Sequence, residues 1–151
     1  IRFPGNFTEV ITNLANFDQL NKDKFDIGIF QTISIFNIMH MNDLTSFISK
    51  HFKEIDIHYN MVFTPNHISP KVLPKRIKEK VTKLYGNNSA EHVNRTLKFM
   101  NGEQYEKSEW INFILQTKQV DRYRKEQFEN VFPKLYKIIE KDWNSVNKDI
   151  L

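Results

Sequence analysis

The chain contains no cysteine, and that absence removes several classes of protein at once. There is no disulfide framework, no thiolate metal site and no cysteine nucleophile. A small secreted scaffold stapled by disulfides is excluded, and a cytoplasmic location is the expectation. Glycine and proline are scarce, 4 and 5 among 151 residues, so the chain is neither fibrous nor low-complexity. No run approaches the roughly 20 apolar residues that cross a bilayer, and a membrane partner is not expected. A strong excess of one charge is also lacking: 22 Lys and Arg stand against 18 Asp and Glu, a net charge of +4. Because the signs are mixed along the chain, nucleic acid is not the expected partner. Gly-rich phosphate loops, G-x-S-x-G elbows and H-x-E…C-x-x-C sets are missing. No signal peptide is recognisable. The chain opens at Ile1 rather than at methionine, as a processed product or the tail of a longer protein would.

What is present is a dense apolar complement, 40% of the residues, with 13 Phe, 5 Tyr and 2 Trp. That composition excludes disorder. A chain of this size buries about 68–70% of its unfolded surface, enough for one domain or two small ones.

Apolar residues at Phe7, Val10, Ile11, Leu14 and Phe17 recur in steps of three and four, which predicts a helix over 6–20 capped by Asn6. Residues 25–39 are rich in Ile, Phe and Thr without a helical period and read as a strand. Asn42-Asp43 caps a helix through Leu44, Phe47, Ile48 and Phe52, and residues 54–63 read as a second strand. Strand, helix and strand in that order form a βαβ unit, and such units build parallel sheets. Pro74 opens a helix to Tyr85, and Gly86-Asn87-Asn88 stops it. The rest predicts helices over 90–100, 107–121 and 122–131, the last of these carrying Tyr123, Phe128 and Val131. A final helix starts at Pro133, with Leu135, Ile138, Ile139 and Trp143 inward. Composition thus divides an α/β part, 1–85, from a helical part, 86–151.

Candidate site residues are few. His40, His51, His58, His67 and His92 show no helical metal-site spacing. Asp56 and His58 share one face of a strand, which suits either acid–base or metal chemistry, or a histidine held by backbone. The basic run 71–83 suits either a phosphate-contacting helix or the solvated face of an amphipathic one. Asn37 and Asn60 lie towards the carboxyl ends of the two strands, where parallel α/β sheets bind ligands; bonding to neighbouring loops is the alternative.

Several stretches, in order, resemble one family. Ile1-Arg2-Phe3-Pro4-Gly5-Asn6-Phe7, then Val10 and Asn13-Leu14, is similar to the segment after the fourth barrel strand of twitch-type radical S-adenosylmethionine proteins, with Phe7 at the usual Trp position. Thr32-Ile33-Ser34-Ile35-Phe36-Asn37 resembles the next strand of that family. Residues 60–68 resemble the strand and loop that follow, and Leu73-Pro74 with Ile77-Lys78 the next helix start. Residues 120–124 and 131–135 resemble its tail motif, with Lys134 in place of an acid.

The resemblance implies a fragment of a partial (β/α) barrel with two or three parallel strands, followed by a mainly helical C-terminal region. It implies the C-terminal part of an enzyme that uses S-adenosylmethionine and a [4Fe–4S] cluster to make a 5′-deoxyadenosyl radical. That radical would abstract hydrogen from a peptide or another biosynthetic intermediate. By the same resemblance Ser34 and Asn37 face the ribose and adenine of S-adenosylmethionine, Asn60 the adenine or substrate, and Arg2 a carboxylate at the barrel mouth. The chain has none of the cysteines that bind the cluster, so alone it is expected to be inactive. The rival expectation is a non-catalytic, mildly basic interaction domain that binds protein or nucleic acid.

Overall fold

The structure is a computed structural model that describes residues 6–20, 24–87, 90–102 and 106–146. It is mixed α/β, with a two-strand parallel sheet and several helices. In chain order the elements are α1 (Phe7–Asp18), β1 (Ile27–Ile33), α2 (Asp43–His51), β2 (Ile55–Met61), α3 (Lys75–Tyr85), α4 (Glu91–Asn101), α5 (Lys107–Arg124), α6 (Phe128–Val131) and α7 (Pro133–Ser145). Short 3-10 turns occupy Ile38–His40, Asn66–Ile68 and Pro70–Val72. None of the described helices is long and apolar enough to cross a membrane. The chain forms two compact units, one from residues 1–31 and 42–60, the other from 32–41 and 61–151.

In the first unit the sheet is covered on one face. Asn6 caps α1 as its sequence predicts, its side-chain oxygen accepting from the Thr8 backbone N–H at 3.0 Å. Ile11, Leu14 and Ala15 of α1 and Leu44, Phe47 and Ile48 of α2 pack with Ile27 and Ile29 of β1 and Ile55 and Ile57 of β2. Each strand turns alternate residues to this layer, the period-2 geometry of a pleated strand. Asp18 fixes the end of α1 to the start of β2: its carboxylate accepts from the backbone N–H groups of Lys53 at 3.0 Å and Glu54 at 2.8 Å.

The second unit is helical and takes the continuation of β1 as part of its core. Ile33, Ile35, Ile38 and Met41 are fully buried there, together with Leu73, Ile77, Val81, Val93, Phe113, Ile114 and Ile139. Burying each such side chain is worth about 1.5–3 kcal/mol. Phe36 anchors the segment by ring contacts to Phe113 and Phe132, both at 5.4 Å between centroids. Trp110 stacks on Phe113 at 5.2 Å, and Trp143 on Phe128 at 4.6 Å.

A helix boundary differs from the sequence reading. The break expected at residue 122 does not occur. With no glycine or proline between Lys107 and Arg124, α5 runs through it and stops where Lys125 adopts a left-handed conformation, φ 55°. Tyr123 is therefore exposed: it lies two residues, about 200°, around the helix from Asp121. Val131 is exposed as well, while Phe128 is buried.

Candidate functional site

The strand expected over 25–39 ends at Ile33, and the reason is Asn37. Its side-chain oxygen accepts from the Ser34 backbone N–H at 2.8 Å and lies 3.4 Å from the Ser34 hydroxyl. Its side-chain amide donates to the Thr32 carbonyl at 2.9 Å. An asparagine that bonds the backbone just before it competes with a strand ladder and turns the chain. Two further bonds hold the segment, from Val62 N–H to the Ile33 carbonyl at 2.9 Å and from Ile35 N–H to the Ile68 carbonyl at 3.0 Å. Ser34 and Asn37 are thus brought together, both half-buried, at the carboxyl end of β1.

Asn60 belongs to the other compact unit. It is exposed on β2, on the face that also carries Asp56 and His58. Phe30 of β1, 66% exposed, stacks on the His58 ring with centroids 4.9 Å apart. One face of this sheet is therefore a helix-backed apolar layer, and the other an exposed wall holding a ring pair, a carboxylate and a carboxamide. Such a wall can stack a planar group and hydrogen-bond its edge. Arg2 lies outside the described residues.

His51 is held within its own helix. His51 Nδ1 lies 2.8 Å from the Phe47 carbonyl, and its ring stacks on the Phe47 ring at 4.4 Å. Burial lowers the pKa of His92. Among the described residues no group of three or more His, Asp or Glu side chains could hold a metal.

The basic run carries the solvated face of an amphipathic helix. In α3, Ile77, Val81 and Tyr85 face the core, while Lys75, Lys80 and Lys83 are exposed. Lys78 is buried, and its amine is pushed below the ordinary lysine range, first by burial and then by the charge of Lys71. Arg76 instead reaches α7. It donates to the Ile138 carbonyl at 3.2 Å and pairs with the Asp142 carboxylate, whose same oxygen accepts from the Trp110 ring N–H at 3.0 Å.

Periodicity signalled none of these polar links. The Lys118 amine is another: it caps the end of α7 through the carbonyls of Trp143 at 2.6 Å and Val146 at 2.8 Å. Only the Asn37 turn has a sequence signal, the preference of asparagine for turns. No protein-family model matches the chain, and no curated protein or solved structure is detectably similar to it.

Proposed function

We propose that this chain is the C-terminal part of a cytoplasmic radical S-adenosylmethionine enzyme, with β1 and β2 as the last strands of a partial (β/α) barrel. The observation that carries the reading is the one-sided sheet. Helices α1 and α2 back one face, while Phe30, His58 and Asn60 stand exposed on the other, as side chains of an inner barrel wall do. The ordered resemblance across the chain supplies the family.

The residues present do not fit the [4Fe–4S] cluster, since all of its cysteine ligands are missing. No step of radical formation is therefore assigned to this chain. Its part is to bind and orient. Ser34, held beside Asn37 at the end of β1, offers a hydroxyl to the ribose of S-adenosylmethionine. Asn37 positions Ser34 by shaping the turn. Asn60 offers a carboxamide to adenine or substrate from the exposed wall, and Arg2 would pair with a carboxylate at the mouth. Excluding water and fixing reactants is the protein's share in cofactor chemistry of this kind. The substrate class is a peptide or another biosynthetic intermediate.

The native full-length protein, purified anaerobically, tests the reading. About four iron and four sulfide per chain are expected, with S-adenosylmethionine binding weakened by Ser34→Ala. A native protein with neither iron nor affinity for S-adenosylmethionine overturns it.

A further inference from the structure

The loop after β2 opens onto a cavity of about 380 Å³ within the second compact unit. Its size falls in the range of small-molecule sites, about 300–1,000 Å³. It follows the carboxyl end of a parallel strand, the usual location for ligands in α/β sheets. Phe63 and Phe99 form an aromatic corner, edge to face with centroids 4.9 Å apart, and Phe63 is 63% exposed. The Lys71 ammonium stands 4.7 Å from the centre of the Phe99 ring. Glu106 and Glu109, at the start of α5, bring two carboxylates to the same cavity. Neither carboxylate has a hydrogen bond or ion pair among the described residues. Ser69, on the wall and 95% buried by its 5% exposure, has a hydroxyl with no hydrogen-bond partner among the described residues.

We propose that this cavity binds a free α-amino acid with an aromatic side chain. A simple anion entering it would meet two carboxylates, and a simple cation would meet Lys71. A ligand with both charges and a planar apolar body satisfies all three elements. Its carboxylate pairs with Lys71, and its ammonium with Glu109 and Glu106. Its ring packs on Phe63. The proposal rests on the second unit alone and is independent of the radical enzyme reading.

L-Phenylalanine is the probe, followed by calorimetry and by amide chemical shifts of the labelled chain. Binding is expected with shifts centred on Phe63, Lys71, Phe99 and Glu109. Two half-analogues isolate the charges: 3-phenylpropionate lacks the amine and phenethylamine lacks the carboxylate. Each should bind about tenfold more weakly or worse, the loss of one charged contact. Lys71→Met should weaken L-phenylalanine by about tenfold and leave phenethylamine unchanged. Glu109→Gln should weaken L-phenylalanine and leave 3-phenylpropionate unchanged. The half-analogue comparison needs only the unaltered chain, so a variant that unfolds does not shield the proposal. No binding of L-phenylalanine up to about 10 mM, or half-analogues bound as tightly as the amino acid, overturns it.

Discussion

Gly28 leaves room for the His58 ring and little more: a Cβ at position 28 would stand 2.8 Å from His58 Cδ2 and 2.9 Å from Nε2. The missing side chain lets the ring lie across β1 and stack on Phe30 at 4.9 Å. Replacing a strand glycine by alanine ordinarily stabilises by about 0.5–1 kcal/mol, because the unfolded chain loses freedom. In Gly28→Ala the ring must swing away, and the stack, worth about 0.5–1.5 kcal/mol, is lost. The expected outcome is a difference between backgrounds read from urea midpoints. Gly28→Ala stabilises a chain that already carries His58→Ala by about 0.5–1.5 kcal/mol more than it does the native chain. An equal effect in both backgrounds would mean that the ring does not occupy this position.

Asn37→Ala removes both bonds that turn the chain after β1, at 2.8 Å to the Ser34 N–H and 2.9 Å to the Thr32 carbonyl. A loss of about 1–3 kcal/mol is expected by chemical denaturation. Asn37→Asp keeps the acceptor for Ser34 but sets a carboxylate oxygen against the Thr32 carbonyl, so it recovers only part of that loss. If both variants are as stable as the native chain, the turn does not depend on this side chain.

Asp142 serves two donors with one oxygen, the Trp110 ring N–H and Arg76. Asp142→Leu leaves the Trp110 N–H without its acceptor, and Trp110 is only 3% exposed, so a loss of about 1–3 kcal/mol is expected. Arg76→Ala removes a largely solvent-screened ion pair and should cost under about 1 kcal/mol. The order of the two losses in urea titrations is the check, and the reverse order contradicts the assignment.

His92 makes stability sensitive to acid. Burial lowers its pKa from 6.5, so below that pH the unfolded chain takes the proton first. Stability should fall as the pH drops from 6.5 towards the lower folded value, with no contribution from this group above 6.5. Urea midpoints between about pH 5 and 8 should therefore slope downward with acid, and His92→Gln should flatten that slope. An unchanged slope in the variant would assign the effect to another group.

Much of the fold was legible in the residue pattern. The three-and-four spacing from Phe7 to Phe17 marks α1, and the asparagine before it is its cap. The two apolar runs around α2 became two parallel strands. The boundaries were not legible where one polar side chain decided them. Alternation carries on through Ser34 and Phe36, but Asn37 bonds backward and ends β1 at Ile33. Nor does any local pattern tell that residues 32–41 join the core of the helical unit, because that depends on ring contacts from Phe36 to residues far along the chain. Ser34 and Asn37 stand side by side, which strand alternation does not foretell, since it sets residues three apart on opposite faces. Nor does it foretell the Phe30–His58 pair, because stacking across strands requires their register.

The central claim, that this chain is the ligand-facing end of a barrel whose cluster-binding part precedes it, is tested most directly by sequencing the native reading frame upstream of Ile1. Continuous coding sequence with a C-x-x-x-C-x-x-C stretch, the cluster-binding loop of the family that the chain resembles, is the expected result. A start codon immediately before Ile1, or an upstream frame without those three cysteines, would contradict it.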